Sequence, residues 1–234
     1  MEEKYLSVIT NFGCHYKCPE CIVRNNGLKI PKTYLGSCHT LSNEIVKNRV
    51  NWVSFSGGGD PLFISKDNYA TWRAVWYLLF KDCKDNNVKT ELHTSFKSYI
   101  DFYSLCSKYN NQPAVNFLRK FDRIVYHCHS VWELDELKRY RPDQIIRVVF
   151  VVGPTFTKEE IDAIADSVAL CDNIDELSFR QYVDEKYEIQ YYLHDYLKEG
   201  HKKCWWYIEQ DDYNLYFCEN KVYTKYNDIG KDDE

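Results

Sequence analysis

The sequence predicts an α/β protein in which parallel strands form a partial (β/α)6 TIM-like barrel. Along the 234 residues, strand-like segments alternate with helix-like segments, which is typical of βαβ units and a parallel sheet. Right-handed crossovers wind such a sheet toward a barrel. Several strands also alternate apolar with polar residues, so each has one apolar face and one polar face.

The polar faces of the predicted strands indicate a cavity. In the last strand, for example, apolar and polar residues alternate from Leu177 to Arg180. A closed eight-stranded barrel fills its interior with apolar side chains, whereas here helices would cover the apolar face and leave the polar face inside. The alternative is that some of these polar residues lie at strand ends in water. The six predicted strands are Tyr5–Thr10, Trp52–Ser56, Val88–Thr94, Arg123–His129, Ile145–Val152 and Glu176–Val183.

Helices are predicted between these strands. The last of them opens on a capping-box pattern, with Thr157 as the N-cap and Glu160 at the third helical position. The aromatic run from Trp72 to Phe80 has helical spacing, which we interpret as core packing. The predicted helices are Ser42–Arg49, Lys66–Asp85, Ser98–Tyr109 with Ala114–Lys120, Glu133–Tyr140 and Lys158–Cys171.

Beyond Val183 the pattern changes to a small C-terminal helix-plus-hairpin cap. Apolar residues at imperfect helical spacing predict a helix over Asp184–Glu199. Two strand-like segments, Trp206–Glu209 and Leu215–Cys218, flank a polar turn and predict a hairpin over the open side of the barrel. The chain is therefore divided into a barrel (1–183), a cap (184–226) and a polar tail (227–234) that we expect to be flexible.

Composition and charge exclude several classes of protein. Hydrophobic residues make up 44% of the chain, enough for a core, and the net charge of -5 argues against a broad basic face for duplex nucleic acid. No apolar run reaches the ~18 residues of a membrane span. The start, MEEKY, lacks the basic-then-apolar order of a signal peptide. We therefore expect a cytoplasmic protein whose 10 cysteines stay reduced.

A short cysteine-rich loop follows the first strand directly. Cys14, Cys18 and Cys21 supply thiolates, which are soft ligands suited to iron–sulfur clusters and to zinc. Three protein ligands on a four-iron cluster leave one iron with an open position, which a catalytic metal needs. The alternative is a zinc site completed by Cys38 or His39, although zinc sites prefer paired CxxC spacing, and in this loop only Cys18 and Cys21 have it.

This loop and a second motif resemble those of the radical S-adenosylmethionine (radical SAM) superfamily. Members carry CxxxCxxC after the first strand and a GGE(P) motif at the end of the second strand, which Gly57-Gly58-Gly59-Asp60-Pro61 resembles. Asp60 stands where the family usually has Glu, and Glu20 stands where it usually has an aromatic residue. The resemblance covers residues 5–183 and implies a partial barrel.

The resemblance also implies cofactors. A [4Fe-4S] cluster on Cys14, Cys18 and Cys21 would bind S-adenosyl-L-methionine at its open iron. Glycine lets a backbone approach a ligand closely or adopt a positive φ, and in the family this turn binds the amino group of the methionine part. The cofactor-binding candidates are Gly57, Gly58, Gly59, Asp60, Thr94, Ser95 and Arg180. For Arg180, an ordinary ion pair at a strand end is the alternative.

The function that the resemblance implies is reductive cleavage of S-adenosylmethionine to a 5′-deoxyadenosyl radical, which abstracts hydrogen from a substrate. The electron would come from a donor such as flavodoxin or ferredoxin. Inward Arg and His residues favour a small polar or nucleotide-like substrate. The candidate catalytic residues are His127, His129 and Arg180, and His93 is a further inward histidine.

Other functions stay open at this point. Activases of glycyl-radical enzymes are also compact, and the C-terminal extension also suits a peptide-modifying radical SAM enzyme. A zinc-stabilised binding module is the non-enzymatic alternative. Cys204 and Cys218 are expected to lie near each other across the predicted hairpin, where they either pack in the cap or help to hold a second cluster.

Overall fold

The computed structural model describes residues 3–96, 114–200, 204–209 and 215–231. The predicted helix Ser98–Tyr109 lies outside these residues. The strands of the described part are β1 (Tyr5–Thr10), β2 (Trp52–Gly57), β3 (Lys89–Thr94), β4 (Arg123–Cys128), β5 (Ile145–Val152), β6 (Glu176–Val183), β7 (Ile189–Gln190), β8 (Trp206–Ile208), β9 (Leu215–Cys218) and β10 (Lys221–Tyr223).

Strands β1 to β6 lie side by side in chain order, and each is parallel to the next. The six predicted strands are confirmed, with ends that differ by at most one residue. Parallel neighbours in chain order require the crossover connections of βαβ units. The α/β class and the mostly parallel sheet are therefore confirmed.

The C-terminal segment extends this sheet at both of its edges. Strand β8 is parallel to β6, with Trp206 opposite Ser178, and β9 is parallel to β1, with Leu215 opposite Leu6. Only seven chain steps separate Ile208 from Leu215, so these two residues are at most about 25 Å apart. The two edges therefore approach each other, and the sheet curves into a partial barrel. Within the described residues β8 and β9 do not pair, so the barrel is open.

The helices are α1 (Ile22–Asn25), α2 (Leu41–Asn48), α3 (Tyr69–Asp85), α4 (Ala114–Leu118), α5 (Lys158–Ala169) and α6 (His194–Gly200). Helix α5 begins at the predicted capping box, in which Thr157 Oγ1 accepts from the Glu160 amide and the Glu160 carboxylate accepts from the Thr157 amide. In the part of the chain that the structure describes, 3-10 turns lie at Leu35–Cys38, Val131–Glu136 and Tyr226–Asp228.

The core lies between the outer face of the sheet and these helices. Helix α3 buries Trp72, Val75, Trp76 and Leu79 at helical spacing. The Trp76 ring packs edge-on against Phe55 of β2, with 4.9 Å between ring centroids. The interpretation of the aromatic run as core packing is therefore confirmed. No helix among the described residues is long and apolar enough to cross a membrane.

The predicted pairing of Trp206–Glu209 with Leu215–Cys218 in a C-terminal hairpin is wrong. A hairpin exists, but it joins β9 to β10, where Val222 lies opposite Phe217. The two segments that were expected to pair lie at opposite edges of the sheet. The local pattern of two strands and a polar turn carries no information about parallel partners far away in the chain. Cys204 and Cys218 consequently do not face each other across a hairpin.

Two helix predictions are also wrong in extent. Within Asp184–Glu199, helix α6 occupies only the end, because Tyr187 and Leu193 have φ of 64° and 50°, outside the right-handed helical region. In Glu133–Tyr140 a 3-10 turn ends at Glu136, since Leu137 is extended with ψ of 140°. At the start of the predicted tail (227–234), the chain continues a 3-10 turn that begins at Tyr226, and Ile229 is buried.

Candidate active site

A cavity of about 690 Å³ opens at the carboxyl ends of the parallel strands. Its walls carry the polar face of the sheet, including Ser7, Ser54, His93 and His127, while the neighbouring residues on the same strands pack outward against the helices. This is the end at which α/β barrels place their active sites. The volume is typical of a site for a small molecule. The prediction that the polar face lines a cavity is confirmed.

The cysteine loop forms one part of the mouth of this cavity. Cys14, Cys18 and Cys21 all line it, and none of these three is in a disulfide. Backbone amides donate to two of the sulfurs, from Tyr16 to Cys14 Sγ and from Arg24 to Cys21 Sγ, both at 3.4 Å. Cys21 is the N-cap of α1, so the short helix places its thiol.

Burial raises the pKa of the Cys14 thiol, and the nearby Asp60 carboxylate adds to this effect. Within the described residues, no group of three or more His, Cys, Asp and Glu side chains is arranged to hold a single metal ion. The proposed fourth zinc ligands lie elsewhere. Cys38 is buried close to Cys218, and His39 is exposed at the end of a 3-10 turn.

The Gly57–Pro61 turn forms a second part of the mouth, and it fits closely against the loop after β1. The amide of Gly58 donates to the Thr10 carbonyl at 2.9 Å, and that of Asp60 donates to the Gly13 carbonyl at 3.0 Å. A Cβ on Gly59 would lie 2.1 Å from the Gly13 carbonyl oxygen. None of the glycines at 57–59 has a positive φ, so the structure requires them for close backbone approach and not for an unusual φ.

Asp60 connects this turn to the end of β3. Its buried carboxylate accepts from the Leu62 amide at 2.9 Å, from the Thr94 hydroxyl at 3.0 Å and from the Ser95 amide at 2.8 Å. The structure thus brings the predicted residues Asp60, Thr94 and Ser95 together at the cavity. Asp60 and Thr94 hold each other, which fixes the turn in place.

A third part of the site is the cavity floor, in the middle of the sheet. Glu91, which is 1% exposed, accepts from Ser54 Oγ at 2.9 Å and from Arg123 Nη1 at 2.9 Å. His93 Nε2 lies 2.8 Å from Glu91 Oε1, and His93 Nδ1 lies 3.1 Å from His127 Nε2. Carboxylate and imidazoles therefore form one hydrogen-bonded chain that ends on the cavity wall.

Opposing effects act on the pKa of the Glu91 carboxyl. Burial acts to raise it, but the His93 hydrogen bond and the charges of His93, Arg147 and Arg123 outweigh burial and hold the pKa well below its usual range. Arg147 lines the cavity and also binds Glu176, with 2.6 Å between Nε and Oε2. Glu91 is therefore an ionised carboxylate inside the protein.

The remaining predicted residues lie on the wall and the rim. Arg180 of β6 lines the cavity. His129 follows β4 at the rim, with its Nε2 3.7 Å from Glu20 Oε2 of the cysteine loop. The position where the family usually has an aromatic residue thus carries a carboxylate that faces this histidine.

Sequence reasoning missed several contributors to the site. Arg147 was detectable, because it is a charge within an otherwise apolar strand, IIRVVFVV. Tyr226 was not, since nothing near it in the sequence points to the cavity; its hydroxyl donates to the Gly57 carbonyl at 3.1 Å. Burial raises the pKa of Tyr226, so the phenol stays protonated as a donor.

Comparison with known proteins gives matches in structure but not in sequence. No family model matches the chain, and no curated protein does. SuiB of Streptococcus suis bound to the precursor peptide SuiA aligns over 90% of this chain and 49% of its own, with a TM-score of 0.54 and 14% identity. SuiB bound to S-adenosylmethionine aligns over 90% and 51%, with a TM-score of 0.54 and 12% identity.

The chain thus spans about half the length of the SuiB chains that it matches. At these identities the likeness shows a shared fold. The partial α/β barrel that the sequence predicted is therefore a fold also seen in a protein solved with S-adenosylmethionine.

Proposed function

We propose that the protein is a radical SAM enzyme that acts on a small polar or nucleotide-like substrate. One observation carries the proposal: the CxxxCxxC loop, the Gly57–Pro61 turn and the end of β3 meet around a single cavity. They do so at the carboxyl ends of a parallel sheet, in a fold shared with a protein solved with S-adenosylmethionine. The likeness in fold alone would leave the chemistry open.

Cys14, Cys18 and Cys21 would hold the [4Fe-4S] cluster. Their sulfurs are the soft donors that such clusters take, and all three open onto the same cavity. Amide donors on Cys14 and Cys21 stabilise negative charge on these sulfurs. When bound, the cluster supplies the electron that cleaves S-adenosylmethionine to methionine and a 5′-deoxyadenosyl radical.

The chain's other residues would place the cofactor and the substrate. The turn at Gly57–Gly59 presents backbone at the mouth, where the methionine part would bind, and Asp60 keeps the turn fixed to β3. Arg180 on the wall suits a carboxylate of the cofactor or an anionic group of the substrate, because a guanidinium binds such groups with two parallel hydrogen bonds.

A reductive reaction needs an electron donor, for which we propose a flavodoxin or a ferredoxin.

A peptide substrate is the second candidate, since SuiB has been solved with a precursor peptide. Activation of a glycyl-radical enzyme would require a protein partner. Transfer of deuterium into 5′-deoxyadenosine separates these functions, because the label comes from a heterocycle, from a peptide or from a partner protein.

The deciding experiment is purification without air followed by reconstitution with iron and sulfide. We expect a brown protein whose visible absorbance is bleached by dithionite, and formation of 5′-deoxyadenosine from S-adenosylmethionine. C18A is expected to lose the iron and remain folded, since Cys18 is not among the residues of the buried core. C204A, at an exposed thiol outside the cavity, is the matched control and should keep the iron.

Two results would contradict the proposal. A colourless protein with one zinc per chain would support the binding module instead. An iron-loaded protein in which C18A binds as much iron as the wild type would place the cluster elsewhere.

A further inference from the structure

The peptide unit that joins Gly57 to Gly58 is held at both of its polar groups. Its N–H group, on Gly58, donates to the Thr10 carbonyl at 2.9 Å, and its carbonyl, on Gly57, accepts from the Tyr226 hydroxyl at 3.1 Å. Glycine on both sides of a peptide lets it turn over without a clash of side chains. The two hydrogen bonds therefore oppose a rotation that the residue types themselves would permit.

The donor of the second bond comes from a distant part of the chain. Tyr226 begins the 3-10 turn that follows the β9–β10 hairpin, and 169 positions separate it from Gly57. Its ring packs edge-on against Tyr216 of β9, with 5.5 Å between ring centroids, and both rings line the cavity. Burial raises the pKa of Tyr226, so its hydroxyl keeps the hydrogen that it donates.

A small apolar cluster holds the segment that carries Tyr226. Its buried members are Ile9, Ile30, Cys218 and Ile229, and the Tyr226 ring packs against them. Ile30 also contacts the glycine turn, since a Cβ on Gly58 would lie only 2.6 Å from the Ile30 Cβ. The phenol and the turn thus share one support, which keeps the hydroxyl close to the Gly57 carbonyl.

We propose that Tyr226 is a positioning residue that fixes the orientation of the Gly57–Gly58 peptide at the mouth of the cavity. The inference rests on the proposed function in one respect: the turn would present this peptide to the methionine part of S-adenosylmethionine. A group that is already held in its binding orientation does not have to be ordered when the ligand arrives. Loss of the hydroxyl would therefore weaken binding of S-adenosylmethionine more than it would slow the later steps.

The test is amide hydrogen exchange in the full chain, followed residue by residue by NMR, with Y226F beside the wild type. Phenylalanine keeps the ring and removes only the hydroxyl. We expect exchange at the Gly58 amide to become about tenfold faster, because loss of one hydrogen bond lets this peptide leave Thr10 more often. The Asp60 amide donates to Gly13 from a different peptide unit, and its exchange should change by less than about twofold.

The two amides decide between positioning and a general loss of stability. Equal acceleration at Gly58 and Asp60 in Y226F, or no acceleration at either, would overturn the proposal. If Y226F does not fold, I229A decides, because it keeps the hydroxyl and removes part of its support. Exchange that is accelerated more at Gly58 than at Asp60 then supports the proposal, and equal acceleration contradicts it.

Y77F is the matched control, since it removes the hydroxyl of a tyrosine that is exposed on α3 and does not line the cavity. Both exchange rates should stay as they are in the wild type. Faster exchange at Gly58 in Y77F would show that the effect of Y226F does not come from the contact with Gly57.

A kinetic measurement on the reconstituted protein adds a second readout. Y226F should raise the KM for S-adenosylmethionine about tenfold and lower kcat by much less, whereas a general loss of structure would lower kcat as well. The exchange measurement needs neither iron nor S-adenosylmethionine. Absence of iron would therefore defeat the proposed function while exchange at Gly58 remains measurable, and unchanged exchange in Y226F would defeat the positioning role alone.

Discussion

The buried carboxylate of Asp60 accepts several hydrogen bonds at the mouth of the cavity. It accepts from two backbone amides and one hydroxyl, and it is 4% exposed. Removal of the carboxylate leaves those buried donors without an acceptor. This costs folding free energy, because water cannot reach the donors to replace the lost hydrogen bonds. Asp60 therefore stabilises the fold in addition to any role toward a cofactor.

We expect D60A to lower the free energy of unfolding by about 3 kcal/mol. Urea unfolding followed by circular dichroism measures this directly. D67A is the matched control, since Asp67 is exposed in the same connection, and it should change the free energy by less than about 0.5 kcal/mol. Equal effects of the two substitutions would show that the Asp60 contacts contribute nothing.

Two buried thiols are expected to make the free energy of unfolding fall as the pH rises into the alkaline range. Burial raises the pKa of Cys38 and of Cys218 to about 12, against an ordinary thiol value of 9.0. A folded-state pKa above the unfolded value means that stability is complete below pH 9 and is lost as the pH rises toward 12. Only the unfolded chain releases the thiol protons in that window.

We expect the free energy of unfolding to fall between pH 9 and 11, with a contribution of about 1.4 kcal/mol per pH unit from each thiol. C218A should therefore flatten the pH dependence by about that amount. V8A is the control: it weakens the neighbouring buried strand without removing a titrating group, so it should lower stability at every pH and keep the slope. An unchanged slope in C218A would contradict the assignment.

Among elements, the glycine turn and the loop after β1 depend on each other. The turn donates one backbone hydrogen bond to Thr10, the last residue of β1, and one to Gly13 in the loop, and there is no room for a Cβ at Gly59. The sequence analysis explained the glycines by close approach of the backbone to a ligand. In the structure they are needed for close contact between the glycine turn and the loop after β1.

We expect G59A to push the turn away from the cysteine loop and to lower the free energy of unfolding by about 3 kcal/mol. The cause is a Cβ only 2.1 Å from the Gly13 carbonyl oxygen. G153A is the matched control, because nothing lies within 4 Å of a Cβ at Gly153. Thermal unfolding of both variants tests this, and a G59A protein as stable as G153A would refute the steric argument.

The strands were predictable and the C-terminal elements were not, for a physical reason. Strands β1 to β6 are buried between helices and a cavity, so their alternation of apolar and polar residues reports the two environments directly. Strands β8 and β9 are short, and their partners are chosen by the sheet edges that remain open. Local residue patterns do not encode such a choice.

At the scale of the whole molecule, Asn220 attaches the β9–β10 hairpin to the region before α2. Its side chain accepts from the Thr40 amide at 3.1 Å and donates to the Gly36 carbonyl at 2.7 Å. Its φ of 64° also suits asparagine better than most residues. This attachment keeps β9 in place beside β1.

We expect N220A to lower the free energy of unfolding by about 2 kcal/mol, because it removes two hydrogen bonds and strains the turn. Hydrogen exchange should show the largest loss of protection in β9 and β10. T224A, an exposed threonine in the following turn, serves as the control. Uniform loss of protection across the sheet would mean that the hairpin is not a separate local unit.

The predictable part of the site is the part encoded by residues close together in the sequence. The cysteine loop and the glycine turn each form a continuous motif, and the structure brings them to one cavity. The floor is different, because Glu91, His127 and Arg147 come from three strands and meet only through the register of the sheet. The sequence did show charged residues inside apolar strands. It did not show which of these residues would pair with each other.

The position of β9 has a consequence for the newly made protein. Its partner β1 is synthesised at the start of the sheet, whereas β9 leaves the ribosome after every other parallel strand. Until then one side of β1 offers unpaired amides and carbonyls, which invite contacts between nascent chains. Folding of the complete sheet therefore waits until residues 215–218 have left the ribosome, and slow release of these residues would prolong the interval in which chaperones must shield that edge.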